Sequence, residues 1–390
     1  MSDGEIRPDD LAGEVRELQE EVRKLLDGAW RPPGFCVPNQ RTYPHQWLWD
    51  SCFHAIVWSA LDDDRCVTEL EQALANQDPA TGFVPHLTYW ADPSVHQDLW
   101  GRPLTSTLTQ PPMYGHAANL LMADGGRSVP DGLLARVEAG LRHLLTDRPR
   151  TPAGLVPVWH PWETGCDDSP RWDRFRSASA DWRTVKGELV AALRLERGVP
   201  VGSSRFAVGS IGFNALLAWN TREYLALLGR LGRATPSDLE VAATELAAAI
   251  AARWEPGSAT WLDDGPGAEG VRTADALLAL LVDPRPDGLD QLHRPDAFGA
   301  RYGPRGVHRA EPGYRPTTYW RGPAWPQLSY LLWRASVAAG DDRAPRLAHQ
   351  LVAGARRSGW AEYWHPDTGT GLGAMPQTWS GLALLAARAL

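Results

Sequence analysis

The chain has 390 residues, of which 43% are hydrophobic and 22% charged, and its formal net charge is −8. This apolar content suffices for one large core or two domains, and the acidic balance argues against a nucleic-acid or membrane-surface partner. The acidic first residues do not resemble a signal peptide, no stretch reaches the ~18 apolar residues of a membrane span, and 4 cysteines without a CxxC pair predict free thiols in a reducing cytoplasm.

Helical patterns recur along the whole chain. Residues 9–30 begin the series, with Leu11, Val15, Leu18 and Val22 at spacings of three and four. The other predicted helices cover 50–61, 65–77, 112–124, 130–146, 178–196, 210–231, 236–254, 271–282, 324–340, 343–357 and 377–389. Strand signals are scarce, and the best of them is LVPVWH at 155–160.

The connections between these helices alternate in length. Short ones such as 61–65 and 339–343 alternate with long Gly-, Pro- and Trp-rich ones at 78–111, 147–177 and 283–323. Twelve helices with one set of long loops predict an all-α (α/α)6 toroid of six helical hairpins, with the active site at the long-loop end. An open solenoid is the alternative, but no fixed sequence period supports it. No linker divides the chain, so residues 1–390 are predicted to form a single catalytic domain with an N-terminal helix.

Tryptophan is unusually frequent, with 19 Trp against 9 Tyr and 7 Phe. An indole offers a flat face and one N–H donor, which suits stacking on a sugar ring, although some Trp must simply fill the core. In the segment 43–55, Trp47, Trp49 and Asp50 precede an apolar helix, where a carboxylate beside two indoles could bind sugar hydroxyls. The alternative is a helix-capping Asp with buried Trp. Pro111 and Pro112 would hold Gln110 rigidly.

Four acidic residues crowd the Gly/Pro-rich loop at 160–175, namely Glu163, Asp167, Asp168 and Asp173. Neighbouring carboxylates repel one another, so at least one should have a raised pKa, as a general acid requires near neutral pH. The alternatives are a solvated acidic loop and a metal site. A calcium loop would show more regular acid spacing and fewer Trp, so no metal is expected.

Two later clusters complete the candidate site. An aromatic wall opens a helix in GYRPTTYWRGPAWPQL at 313–328, formed by Tyr319, Trp320 and Trp325 around Arg321. In AEYWHPDTGTGLGAMPQTWSG at 361–381, Glu362 precedes a Gly-rich turn and then Gln377. Glu362 lies 195 residues after Asp167, so only a closed fold would bring the two carboxylates together.

Together, the motifs QWLWDS, TQPP, ETGCDDSPRWD, YWRGPAWP and AEYWHPDTG resemble glycoside hydrolase family 63 and the neighbouring trehalases, over residues 35–381. The resemblance implies an (α/α)6 barrel and inverting hydrolysis of an α-glycosidic bond, with Asp167 as general acid and Glu362 as general base. Similar compact bacterial members act on mannosylglycerate or glucosylglycerate. Positions resembling the family's sugar contacts are Tyr43, Trp47, Trp49, Asp50, Gln110, Trp162, Trp320, Trp325 and Gln377.

The chain departs from the family pattern in two places. Asp168 stands where relatives often have Asn, so it could change the pKa of Asp167 or replace it as the acid. The stretch 203–220 follows the pattern only loosely, which leaves its leaving-group contacts open. A glycerate carboxylate would suit an Arg fork, with Arg171, Arg205 and Arg321 as candidates. No organic cofactor is expected, and the His residues lack metal-ligand spacing.

Other functions remain open at this stage. Within glycosidases, the rival substrates are neutral α-glucosides such as trehalose-like disaccharides, short α-glucans or a glycosylated metabolite. A sugar epimerase or lyase on the same toroid would favour His or Tyr bases facing the pocket. A carbohydrate-binding protein without catalysis would not need two carboxylates. The sequence does not indicate an oligomeric state.

Overall fold

The computed structural model describes residues 8–125, 127–176, 181–265 and 270–390. Within this part of the chain the α-helices are α1 Pro8–Ala29, α2 Leu48–Ala60, α3 Arg65–Ala73, α4 Gln97–Trp100, α5 Tyr114–Gly125, α6 Asp131–Arg142, α7 Trp182–Ala191, α8 Ile211–Arg230, α9 Ser237–Ala251, α10 Pro286–His293, α11 Pro326–Ala338, α12 Ala344–Ser358 and α13 Ala383–Ala387. Short 3₁₀ turns cover Pro161–Thr164, Pro170–Phe175, Ala276–Leu281 and Thr378–Leu382, and a π turn at His143–Asp147 extends α6.

The strands of the described residues form two-stranded antiparallel ribbons rather than a sheet. The pairs are β1 Trp30–Arg31 with β2 Phe35–Cys36, β3 Gln46–Trp47 with β4 Leu87–Thr88, β5 Leu193–Glu196 with β6 Val199–Ser203, β7 Trp254–Glu255 with β8 Thr260–Trp261, and β9 Tyr363–Trp364 with β10 Gly371–Leu372. The predicted strand at 155–160 is wrong, because this segment makes only one isolated bridge, from Val158 to Val208.

Six elements form a closed inner ring. They are α2, α5, α8, the turn Ala276–Leu281, α11, and the C-terminal pair of Thr378–Leu382 with α13. Each packs against the next, and the C-terminal pair returns to α2. Every residue of α2 is buried, which is expected of a helix covered on both sides.

Six further helices form the outer ring. In chain order α3, α6, α9, α10 and α12 each pack against the inner element that precedes them, while α1 packs against the C-terminal pair. Their apolar residues face inward: in α12, Leu347, Leu351 and Ala355 are buried at helical spacing. The predicted (α/α)6 toroid is therefore confirmed, and the contact of α1 with α13 joins the two ends of the chain.

Three predicted elements need correction. Residues 178–180 of the predicted helix 178–196 lie outside the described residues, and α7 belongs to neither ring but packs beside α4. After α7 the chain turns back at Arg197 and Gly198, both at positive φ, to form the β5–β6 ribbon. The predicted loop 283–323 contains a helix of the outer ring, α10. Pro286 does not prevent this helix, because proline is tolerated in the first helical turn. The predicted helix 271–282 is only the turn Ala276–Leu281.

The long connections all run from an outer helix to the next inner element. They therefore gather at the N-terminal ends of the inner elements, while the short inner-to-outer connections lie at the opposite end. A second, smaller apolar cluster supports this loop face, built on Leu87, Tyr89, Trp100, Leu108 and Val190. Among the described helices, none combines the length and apolar character that crossing a bilayer requires.

Candidate active site

A pocket opens at the loop face of the ring. Its lining comes from separate loop segments between the outer and inner elements, so the toroid brings together residues far apart in sequence. They are Pro38, Tyr43, Trp47, Trp49, Asp50, Gln110, Gly165, Asp167, Tyr319, Trp320, Glu362, Gln377 and Trp379. The empty space between these residues, including the part open to solvent, is about 390 Å³.

Ten of the predicted site residues line this pocket, including both predicted catalytic carboxylates. Trp162, Arg321 and Trp325 do not. Trp325 is fully buried behind Trp320, and Arg321 pairs with Asp173. Trp162 packs instead between His86, Trp100 and His160. Three lining residues were missed by the sequence analysis, namely Pro38, Gly165 and Trp379.

Glu362 is held in a fixed orientation just before β9. Its Oε1 accepts a hydrogen bond from the Tyr43 hydroxyl at 2.9 Å, and its Oε2 accepts one from the Ala374 N–H at 2.8 Å. Gly373, at φ 73°, leaves room for the carboxylate, because a Cβ there would collide with Oε2. Burial raises the pKa of Glu362 to about 7, although the hydrogen bonds from Ala374 and Tyr43 act in the opposite direction.

Asp167 lies between the two 3₁₀ turns of the acidic loop and faces the pocket, whereas the neighbouring Asp168 does not line it. Burial raises the pKa of Asp167 to about 7, opposed by the charge of Lys186 and reinforced by Asp168 and Glu362. Asp168 itself forms an ion pair with Lys186, Nζ to Oδ1 at 3.1 Å. Because Asp167 lines the pocket and Asp168 does not, Asp167 is the better candidate for the proton donor.

Buried ion pairs anchor the acidic loop on two sides. On one side both oxygens of Glu163 accept hydrogen bonds from the Arg148 guanidinium, at 2.6 and 3.1 Å. On the other, Arg171 bonds to Asp263 at 2.5 Å and to Asp275 at 2.6 Å. Removing one partner of such a pair would leave an uncompensated buried charge. Glu163 and Arg171 therefore position the loop. Arg171 is buried and bonded to two aspartates, so it does not reach a substrate.

Stacked aromatic rings form the pocket walls. Trp320 lies parallel to Trp325, with ring centroids 3.6 Å apart and an interplanar angle of 4°, and Tyr363 stacks on the far face of Trp325 at 4.5 Å. Trp320 has φ 55°, a left-handed conformation that is costly for a bulky side chain and often accompanies a functional site. Trp49 is packed closely against Gly165, where a Cβ would lie 2.5 Å from the Trp49 ring.

Several buried polar atoms of the pocket lack a hydrogen-bond partner among the described residues. They include the indole nitrogens of Trp47 and Trp320 and the amide oxygen of Gln377. Asp50 is buried as well, and burial raises the pKa of its carboxyl well above its usual range. Unpaired buried donors and acceptors are costly. This set, converging on aromatic faces, is suited to the hydroxyl groups of a sugar.

One group of potential metal ligands occurs among the described residues, outside the pocket lining. Cys36, His54 and Glu69 are fully buried, with ligand atoms within 4.8 Å of one another. Their polar atoms are already paired: Glu69 accepts a bond from the Cys36 N–H at 2.8 Å and contacts His54 at 3.3 Å, while His54 Nε2 meets the Thr378 hydroxyl at 2.6 Å. The group ties α2 and α3 to the segment that carries Gln377.

The carboxyls of Asp167 and Glu362 line the same pocket. Burial raises both pKa values to about 7, and the charge of Glu362 contributes to the raised pKa of Asp167. A pair with one proton can donate from one side and accept on the other. This arrangement supports general acid–base chemistry on a bond placed between Asp167 and Glu362.

The substitution Tyr43→Phe tests this proton balance. Because the Tyr43 hydroxyl lowers the pKa of Glu362, its loss should raise that pKa, and the acidic limb of the kcat/KM profile should move upward by ~1 pH unit. The alkaline limb should move less. The measurement is kcat/KM from pH 4 to 10 for both proteins. An acidic limb that stays in place would contradict the assignment of Glu362 as the group that must lose its proton.

The chain is similar to known glycoside hydrolases. A family model described as the mannosylglycerate hydrolase MGH1-like glycoside hydrolase domain matches residues 43–380. A mannosylglycerate hydrolase from Thermus thermophilus is 30% identical over 90% of this chain and 96% of its own length. A glucosylglycerate hydrolase from Mycolicibacterium hassiacum is 27% identical over 88% and 91%. The crystal structure of a GH63 mannosylglycerate hydrolase from Thermus thermophilus with Tris and D-glycerate superposes with a TM-score of 0.82 at 27% identity, covering 95% of this chain and 99% of that one.

Proposed function

This chain belongs to the MGH1-like glycoside hydrolase family, and we propose that it is an inverting α-glycosidase with Asp167 as general acid and Glu362 as general base. It is a glycoside hydrolase by family. The observation that carries the proposal is the pair of carboxyls with raised pKa values in one aromatic pocket. The proposed substrate is a small α-mannoside or α-glucoside of glycerate. The relatives are named after substrates of this kind.

The mechanism follows from the proton balance. The protonated Asp167 donates its proton to the glycosidic oxygen as the bond from that oxygen to the anomeric carbon breaks. The ionised Glu362 removes a proton from a water molecule, whose oxygen forms the new bond on the opposite ring face. Each turnover leaves Asp167 ionised and Glu362 protonated, and exchange with solvent restores the starting state. An inverting pair needs room for this water, roughly 6.5–9.5 Å between the carboxyl groups.

The pocket contacts suit the sugar rather than the aglycone. Trp320 and Trp49 offer ring faces, Asp50 and Gln377 offer hydroxyl partners, and Glu362 is held by Tyr43. Among the described lining residues there is no Lys or Arg. This absence favours a second candidate, hydrolysis of a neutral α-glucoside such as a trehalose-like disaccharide, a short α-glucan or a glycosylated metabolite.

The experiment follows the product anomer by proton NMR. The purified protein is incubated with the α-mannosides and α-glucosides of glycerate, with trehalose and with maltose. For the preferred substrate we expect the β-anomer of the sugar to appear first and then to mutarotate. Initial release of the α-anomer would refute inversion, and turnover of only the neutral substrates would select the second candidate.

Other classes receive less support. An epimerase would need His or Tyr bases in the pocket. No histidine is among the described lining residues, and burial raises the pKa of the lining tyrosines Tyr43 and Tyr319, which opposes their acting as bases. A pure binding protein would not require two carboxyls with raised pKa values in one pocket. As part of the same proposal, residues 1–390 act as one catalytic domain in the cytoplasm, where the four buried cysteines would stay reduced.

A further inference from the structure

The leaving-group side of the pocket is defined by its acid. Because the proposed acid Asp167 protonates the glycosidic oxygen, the aglycone must lie next to that carboxyl. Lys186, on α7, is the cation that acts on Asp167. Its ammonium lies 3.1 Å from Asp168 Oδ1.

Helix α7 is joined firmly to the acidic loop. The indole N–H of Trp182 donates to the backbone oxygen of Asp167 at 3.3 Å, and His160 Nε2 contacts the backbone oxygen of Lys186 at 3.1 Å. The ammonium of Lys186 lies 5.6 Å from the Trp162 ring centroid and 6.0 Å from that of Trp182. These contacts fix the position of Lys186 relative to the acid. Its side chain is 15% exposed, so it is accessible without being freely mobile.

Lys186 also has unused hydrogen-bonding capacity. An ammonium group carries three donors, and Asp168 is its sole hydrogen-bond acceptor among the described residues. The other cations considered for an anionic aglycone are engaged. Arg171 bonds to Asp263 and Asp275 in the interior, Arg205 bonds to Glu188 at 2.7 Å on the surface, and both arms of the Arg321 fork contact Asp173.

We propose that Lys186 determines specificity for an anionic aglycone by binding its carboxylate next to Asp167. This inference rests on the proposed glycosidase function. The described pocket lining holds three carboxyls and no cation, which would disfavour a negatively charged substrate. With Lys186 outside the sugar-binding part, the substrate carboxylate would still find a positive charge. Asp168 holds the ammonium in place and competes with the substrate carboxylate, which limits affinity for free anions.

The test compares glycosides whose aglycone carries a carboxylate with the matching glycosides that lack it. The probes are α-mannosylglycerate and α-glucosylglycerate, each beside the same sugar linked to glycerol, which lacks the carboxylate. The variants are Lys186→Met and Lys186→Arg, with Arg321→Met and Arg205→Met as matched controls and circular dichroism to confirm folding. The readout is the ratio of kcat/KM for the glycerate over the glycerol glycoside. Loss of Lys186 also raises the pKa of Asp167, but this affects both substrates alike and cancels in the ratio.

For Lys186→Met we expect the ratio to fall by about 10- to 100-fold, the value of one charge-assisted hydrogen bond, mainly through KM, with most of it restored in Lys186→Arg. An unchanged ratio in Lys186→Met, or a larger fall in Arg321→Met, would overturn the inference while leaving the glycosidase proposal standing. If the wild-type protein hydrolyses neither glycerate substrate, the proposed substrate class falls, and the inference falls with it.

Discussion

Replacement of Glu362 by Gln is expected to lower kcat by at least about 10³-fold on every substrate, because the amide cannot remove the proton of the attacking water. Gln fits the site: its oxygen can accept from the Ala374 N–H, and its NH₂ can donate to the Tyr43 hydroxyl, which meets this position at 2.9 Å. The loss should therefore be chemical rather than structural. Steady-state kinetics of Glu362→Gln, with Glu240→Gln on the exposed side of α9 as the control, measures it.

The same variant should also be more stable than the wild type at alkaline pH. The pKa of Glu362 is raised from 4.5 to about 7 in the folded protein, so its burial as a carboxylate costs stability above that pH. Below pH 4.5 the group is protonated in both states and the cost disappears. We expect Glu362→Gln to gain ~2–3 kcal/mol in free energy of unfolding at pH 8 and little at pH 4.

Denaturant unfolding of both proteins at the two pH values gives this comparison. An inactive Glu362→Gln that is also less stable at pH 8 would mean that the residue supports the fold, and its catalytic assignment would have to be withdrawn. A gain in stability together with a loss of activity is the pattern expected of a catalytic group held in an unfavourable environment.

The sequence was sufficient to predict the toroid, because apolar spacing and alternating loop lengths are local signals. The sequence was insufficient where one local pattern is compatible with two different structures. Pro284, Arg285 and Pro286 read as a loop, yet Pro286 begins α10, and Ala- and Leu-rich 271–282 forms only a short turn. No periodic hydrophobic pattern in the sequence indicates the π turn after α6 or the β5–β6 ribbon after α7.

The candidate site was predictable to the level of motifs, not of individual contacts. Trp325 and Trp320 stand in one motif, but stacking places the first behind the second, and only coordinates separate a ring that lines the pocket from one that supports it. Gly165 was missed because its role is to leave space for Trp49, and empty space has no sequence signature. The partners of Arg171 lie 92 and 104 residues away, beyond any local argument.

The second large expected effect on activity distinguishes Asp167 from Asp168 as the general acid. Asp167→Asn should lower kcat/KM on natural glycosides by about 10²- to 10⁴-fold, the contribution of a positioned general acid. Asp168→Asn should lower it far less, since Asp168 does not line the pocket and is paired with Lys186. It should instead lower the pKa of Asp167, because the Asp168 charge raises that pKa, and so move the alkaline limb of the pH profile downward.

An activated substrate separates acid from base. Fluoride leaves with little protonation, so an α-glycosyl fluoride of the same sugar should restore Asp167→Asn to within ~10-fold of the wild type, while Glu362→Gln stays inactive because water must still be deprotonated. The measurement is fluoride release by the three proteins. If Asp168→Asn shows the large loss and the rescue instead, the working acid is Asp168, and the ion pair with Lys186 must open before each turnover. If neither aspartate variant is rescued, both act by holding the loop, and the proton comes from another group.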